Sequence, residues 1–156
     1  MPDEKDDQEA LARANADKAA GKSPSTQAGE FVREEIDKIR HGEHGARSAK
    51  QAIAIGLSEA RRAGVDLPPP ARGQTSERTR KSAEYGYEAG QGIRKPKRNK
   101  ARSRAAIKAL KREPRTTVSR KALSQQAKGA ASRRTAAQRS AAAKKAARTR
   151  KRRAAR

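Results

Sequence analysis

The chain has 156 residues, no cysteine, and a net charge of +23 from 40 Lys and Arg against 17 Asp and Glu. Leu, Ile, Val and Phe together number 15, which excludes a large hydrophobic core, and the lack of cysteine excludes disulfides and thiolate metal sites. No apolar run approaches the ~18 residues of a membrane span, and the acidic N-terminus lacks the apolar core of a signal peptide. We therefore expect a cytoplasmic, mostly α-helical protein.

The first segment, 1–22, is polar and acidic, with an Ala-rich stretch between Ala10 and Ala20. Leu11 is its only large apolar residue, so little in the segment can be held against a core. We expect a flexible N-terminus that contains at most a frayed helix.

The segment 23–66 carries the helical spacing of a short hairpin. Ser23 can cap a first helix with Pro24 at its first position, and its apolar residues recur every three to four positions. A Gly-rich turn at 41–45 ends that helix, and Ser48 with Gln51 forms a capping box for a second one. Gly64 is suited to a left-handed stop. Gly56 is small enough to let the two helices approach closely.

The apolar side chains of this hairpin are too few to offset the entropy of ordering both helices. We therefore predict that the hairpin associates with a second copy, as a homodimer, or with a partner protein. The residues predicted to form that contact are the apolar ones of the two helices: Phe31, Val32, Ile36, Ile39, Ile53, Ile55 and Leu57.

Two stretches of the hairpin resemble a known family. The runs GKSPSTQAGEFV (21–32) and GARSAKQAIAIGL (45–57) are similar to the signature of small, basic bacterial proteins that share a domain of unknown function. The resemblance covers roughly 20–70 closely and the basic tail more loosely. It implies a bacterial origin, and it assigns no activity and no functional residue.

Residues 67–93 have the composition of a linker, because Pro68 to Pro70 and several glycines lie among polar residues. A brief helix over 76–89 is weakened by Gly86. Tyr85 and Tyr87 could stack on bases, but two half-exposed linker tyrosines are the simpler interpretation.

The C-terminal tail, 94–156, carries the whole excess of charge, with 25 Lys or Arg and a single acid, Glu113. Such a polycation binds phosphates because condensed counterions are released. We predict that its basic side chains bind nucleic acid: Arg94, Lys95, Lys97, Arg98, Lys100, Arg102, Arg104, Lys108, Lys111, Arg112, Arg120, Lys121, Lys128, Arg133, Arg134, Arg139, Lys144, Lys145, Arg148, Arg150, Lys151, Arg152 and Arg153.

The tail divides at Pro114. Asn99 can cap a short helix that runs to Arg112, and Thr116 or Thr117 can cap one long Ala-rich helix after the proline. An imperfect eleven-residue repeat in that helix points its cations in several directions, which makes a cationic rod and disfavours an amphipathic membrane helix. Repulsion between like charges opposes helix formation. We therefore expect the tail to be disordered in the free protein and to become helical when nucleic-acid phosphates neutralise its charge.

Catalysis requires groups held in a rigid, dry pocket, which this composition does not favour. His41, Glu43 and His44 fall short of a closed four-ligand metal site, and a histidine that helps to cap the first helix is the better interpretation. We expect no enzyme activity, no cofactor, no metal, no small-molecule substrate and no membrane association.

The sequence thus predicts a nucleoid-associated, histone-like protein that binds DNA without sequence preference and compacts or bridges it, with the hairpin pairing two chains. Duplex DNA is favoured over RNA. One alternative is association with RNA or the ribosome, and another is an adaptor whose tail only localises a partner protein. A third is a helix-turn-helix reader that would present the polar residues of the second helix: Arg47, Lys50, Ser58, Arg61 and Arg62.

Overall fold

The computed structural model describes the backbone of residues 4–97 and 99–155 and, within these ranges, the side chains from residue 7 onward. The described chain is mostly helical, as predicted, but its C-terminal region is helical where the sequence predicted disorder in the absence of phosphate. It divides into a first unit, 1–119, and a second unit, 120–156. The elements are α1 (Glu4–Ala19), α2 (Pro24–His41), α3 (Ala49–Arg62), α4 (Glu77–Gly90), α5 (Lys100–Leu110), a 3-10 turn (Thr116–Val118), α6 (Arg120–Ser132) and α7 (Ala136–Ala154).

Helices α2 and α3 form the predicted hairpin. Gly42, with φ of 90°, ends α2, and Gly64, with φ of 93°, follows α3 in the same left-handed conformation. A Cβ atom on Gly56 would lie 2.6 Å from the Cα atom of Val32, so the two helices approach backbone to backbone at this point. The close approach that Gly56 predicted is therefore present, and it requires glycine.

The ends of the two hairpin helices follow their sequence signals with one difference. Ser48 accepts a hydrogen bond from the backbone N–H of Gln51, and the Gln51 side chain accepts one from the N–H of Arg47. The hydroxyl of Ser23 binds Ser25 and Thr26 and makes no capping bond to the α2 backbone. Pro24 still occupies the start of α2, where its missing N–H leaves no bond unmade.

The N-terminal segment differs from the flexible end that its composition predicted, because it forms α1 and packs along α2. Ala10 and Ala14, one turn apart, are buried in one cluster with Phe31 of α2. Arg13 donates to Glu30 at 3.0 Å and to Glu34, both on α2. The small alanines admit the bulky phenyl ring, and Leu11 of α1 packs against the same cluster.

The predicted linker contains α4, which packs on α3. Ser76 caps this helix by accepting from the N–H of Thr79. Gly86 and Gly90 face α3, and a Cβ atom on Gly90 would collide with the backbone carbonyl of Arg61. Gly86, which the sequence predicts to weaken this helix, would bring an added Cβ atom only into ordinary contact, 3.7 Å from the Arg62 side chain, so the close approach of the two helices depends on Gly90.

The first unit extends well into the region predicted to be tail. Val118, only 1% exposed, is buried in a second apolar cluster with Ile39, Ala46 and Ala52. The N–H of Gly45 donates to the carbonyl of Leu110 at 2.9 Å, and that of Ala46 to the carbonyl of Pro114 at 3.2 Å. Residues 110–118 therefore dock on the α2–α3 turn.

The second unit contains two helices where the sequence predicted a single long one. Thr135 accepts from the N–H of Gln138, and the Gln138 side chain accepts from the N–H of Thr135, which completes a capping box that starts α7. This local alternative to a continuous helix explains the break. The eleven-residue repeat therefore spans two helices, with Lys128 on α6 and Arg139 on α7.

Candidate nucleic-acid interface

The predicted phosphate-binding side chains are solvent-exposed wherever the structure describes them. Every predicted cation from Arg94 to Arg153 is exposed, apart from Arg98, which lies outside the described residues. Among the described members of this set, Arg94 is the one that forms an ion pair, with its Nε atom 2.7 Å from Glu88. The other described members of the set have no carboxylate partner that would compete with phosphate.

In the first unit, α5 carries the first part of this surface. Asn99 caps the helix by accepting from the N–H of Arg102, as its position predicted. Lys100, Arg104 and Lys108 are spaced by four residues, so they lie along one face of α5. The helix ends at Leu110, two residues before the predicted end, because the chain turns there toward Gly45.

The two tyrosines serve the fold of the first unit. The guanidinium of Arg94 lies 5.2 Å from the ring centroid of Tyr85, whose hydroxyl accepts from the N–H of Lys97 at 3.0 Å. The hydroxyl of Tyr87 donates to Asp66 at 2.7 Å. These contacts fix the start of the basic region on α4 and support the simpler interpretation of the tyrosines over base stacking.

The charged residues of the second unit are all cations. Residues 120–156 contain 14 Lys or Arg and no Asp or Glu. Helix α7 alone has eight cations in 19 residues, and all of its residues are exposed except the half-buried Thr149. Its side chains therefore offer no apolar face for packing against a core or a lipid surface.

The residues predicted to pair two chains are largely covered within one chain. Phe31 is 3% exposed beneath α1, and Ile39 is fully buried beside Val118. These two were predicted on the premise that the hairpin lacks covering partners, and α1, α4 and residues 110–118 supply them. The remaining predicted contacts are half-buried: Val32, Ile36, Ile53, Ile55 and Leu57.

A cluster of buried charges lies inside the first unit. The Glu35 side chain is 1% exposed, and its Oε2 atom lies 3.5 Å from Nε2 of His44. The Nδ1 atom of His44 faces the carbonyl of Gly45 at 3.1 Å, so both ring nitrogens meet acceptors. The hydrogen bond that the His44 ring donates to the Glu35 carboxylate is the main cause that raises the pKa of His44.

Two further groups belong to the same cluster. Burial, together with the nearby charge of Glu35, raises the pKa of Glu59 from 4.5 to about 7. Lys38 is 2% exposed and donates to Asp7 of α1 at 2.6 Å. Burial lowers the pKa of Lys38, but Asp7 and the neighbouring acids outweigh burial and raise it overall. The composition gave no sign of this cluster, although Glu35 and Lys38 do lie among the apolar positions of α2.

The residues of the helix-turn-helix alternative are not presented together. Arg61 is 8% exposed and donates to the carbonyls of Leu57, Leu67 and Pro68, with its pKa lowered by burial. It holds the turn after α3 and would not reach a DNA base. Arg47, Lys50 and Arg62 are exposed, and Ser58 is half-buried.

The described part of the chain has a mixed-charge cleft but neither a metal cluster nor a membrane span. No group of three His, Asp or Glu side chains there is placed to hold a metal ion. No described helix has the length and apolar character needed to cross a membrane. A cleft of about 300 Å³ beside α1 and α2 is lined by side chains of both signs, including Glu9, Arg13 and Glu34.

The chain matches none of the curated proteins and none of the solved structures with which it was compared. Residues 16–71, which span the end of α1, the hairpin and the turn after α3, match a family of unknown function. The resemblance seen in the sequence is thereby confirmed for this segment. Over residues 16–71 the chain is thus similar to a family of unknown function, DUF6496.

Proposed function

We propose that the protein binds duplex DNA without sequence preference, through the exposed cations of α5 and of the second unit, and that it compacts DNA as a nucleoid-associated protein. The observation that carries this proposal is the second unit itself, in which 14 Lys or Arg occur without one acid. Each phosphate that these side chains contact releases condensed counterions, and the gain in ion entropy drives binding.

One feature of the structure favours duplex DNA over single strands, and another favours binding without sequence preference over sequence-specific recognition. Proteins that bind single strands stack bases on aromatic rings, but here Tyr85 lies under Arg94 and Tyr87 binds Asp66. Sequence reading requires side chains held against base edges, and the cations of α7 point around the whole helix. Phosphate contact is therefore the main interaction that we expect.

Repulsion among the cations of the second unit opposes helix formation when no phosphate is bound. We expect α6 and α7 to fray at low salt in the free protein and to become stably helical on DNA. Far-ultraviolet circular dichroism of the full chain, with and without duplex DNA, measures this change.

A gel-shift series tests the proposal. The full chain should bind duplex DNA, a chain that ends after Ser119 should bind much more weakly, and one that ends after Gly92 should not bind. Undiminished affinity of the shortest chain would show that the cationic region is not the binding surface. Competition with ribosomal RNA separates the alternative target, since RNA presents the same phosphate charge.

A further inference from the structure

The cations of α7 occupy opposite sides of one helix. At about 100° per residue, Arg139, Arg150 and Arg153 fall within a sector of roughly 60°. Lys144, Arg148 and Arg152 are centred on the opposite side of the helix, roughly 180° away. Lys145 and Lys151 flank this second group. No acidic or large apolar residue interrupts either side.

One duplex cannot contact both sides at once. A helix with its side chains is about 10–12 Å across, and a rod lying on a duplex turns one side toward the phosphates and the other toward solvent. The cations on the solvent side then remain hydrated and keep their own counterions. A second duplex that approaches this side gains counterion release in the same way as the first.

We infer that a single α7 binds between two DNA duplexes and joins them, so that one monomer bridges DNA. The inference rests on the proposed function, because it requires the cations to bind duplex phosphates. It does not require pairing of hairpins, for which Phe31 and Ile39, buried within their own chain, are not exposed. The partner is a second duplex, recognised by phosphate charge alone.

The test uses the full chain and an immobilised duplex that captures a second, labelled duplex. One variant combines Arg139→Gln, Arg150→Gln and Arg153→Gln, and it removes the positive charges from one side of α7. Its matched control, Lys144→Gln with Arg148→Gln and Arg152→Gln, removes the same charge but leaves Lys145 and Lys151, so cations still point to several sides. Sedimentation of each protein at the assay concentration establishes whether it is monomeric.

We expect both variants to bind a single duplex with equal affinity, because they lose equal charge. Capture of the second duplex should fall about tenfold in the first variant, because the bivalent contact is lost, and less than about twofold in the control. Equal capture by the two variants, whether retained or lost, would overturn this inference but leave the proposed function standing. Capture that appears only where the protein is dimeric would also overturn it. A wild-type chain that fails to bind even one duplex would overturn the proposed function itself.

Discussion

The Nε2 atom of His44, in the α2–α3 turn, lies 3.5 Å from the Oε2 atom of Glu35, in the middle of α2. The other oxygen of Glu35 is buried without a hydrogen-bond partner in the described structure. A buried carboxylate without compensation is costly, so the charge on His44 matters for the turn that it holds. The adjacent residue, Gly45, is also where residues 110–114 dock.

The stability of the folded chain should depend on pH. His44 and Glu59 both have pKa values above their ordinary ones, so the folded chain binds more protons than the unfolded chain. The contribution of Glu59 is present below pH 4.5 and is lost as the pH rises to about 7. That of His44 is present below pH 6.5 and is lost as the pH rises through its raised pKa. The free energy of unfolding should therefore fall as the pH rises from about 5 through about 7.

Urea denaturation followed by circular dichroism across this range measures the effect. Glu59→Gln should flatten the dependence and stabilise the fold at the alkaline end by about 2 kcal/mol. His41→Gln, at an exposed position in the last turn of α2, serves as the control and should leave the profile unchanged. Stability that stays constant or increases toward alkaline pH would contradict the structural basis of the cluster.

The contact at Gly56 gives a second prediction. Alanine normally stabilises a helix by about 0.5–1 kcal/mol relative to glycine, and Gly29→Ala should do so because no atom lies within 4 Å of its added methyl group. Gly56→Ala should instead lower stability by about 1–3 kcal/mol, since the methyl would press on the backbone of Val32. The melting temperatures of the two variants should move in opposite directions, and a parallel increase would refute the close approach.

The docking of α1 is tested by two alanines of that helix. Ala14 is 2% exposed and Ala12 is exposed. Ala14→Leu should lower the free energy of unfolding by about 1–3 kcal/mol, because the larger side chain does not fit against Phe31. Ala12→Leu should change it by less than about 0.5 kcal/mol. Equal, small effects in chemical denaturation would indicate that the N-terminus is flexible, as its composition predicted.

The extension of the first unit to Ser119 depends on Val118. Val118→Ala should lower stability by about 2 kcal/mol, while Ile93→Ala, at a position that is 72% exposed, should have little effect. A chain that ends after Ser119 should accordingly melt at a higher temperature than one that ends after Gly92. If the two truncated chains were equally stable, residues 110–118 would not be part of the folded unit.

The local signals of the hairpin were strong enough to predict it. Pro24, Ser48, Gln51 and Gly64 each act within a few residues or one helical turn, so their effect can be predicted without knowledge of the partner elements. The exposure of the Lys and Arg side chains in the tail could also be predicted, because an exposed side chain needs no packing partner.

What the sequence did not reveal depends on contacts between distant segments. Ala10 and Ala14 are ordinary helix residues until Phe31 is placed against them, and Gly90 looks like a linker glycine until α3 is brought alongside. Val118 offered no local periodicity, since it stands in a single 3-10 turn. Polar helices that bury alanine and glycine carry little hydrophobic signal, although they pack closely.

The most direct test of phosphate binding by the cationic region is the salt dependence of the affinity of the full chain for duplex DNA. With about eight to ten cations in contact with phosphate, the logarithm of the binding constant should fall with the logarithm of salt concentration at a slope of about −7 to −9. A slope shallower than about −3 would contradict the assignment of α5, α6 and α7 as the main contact.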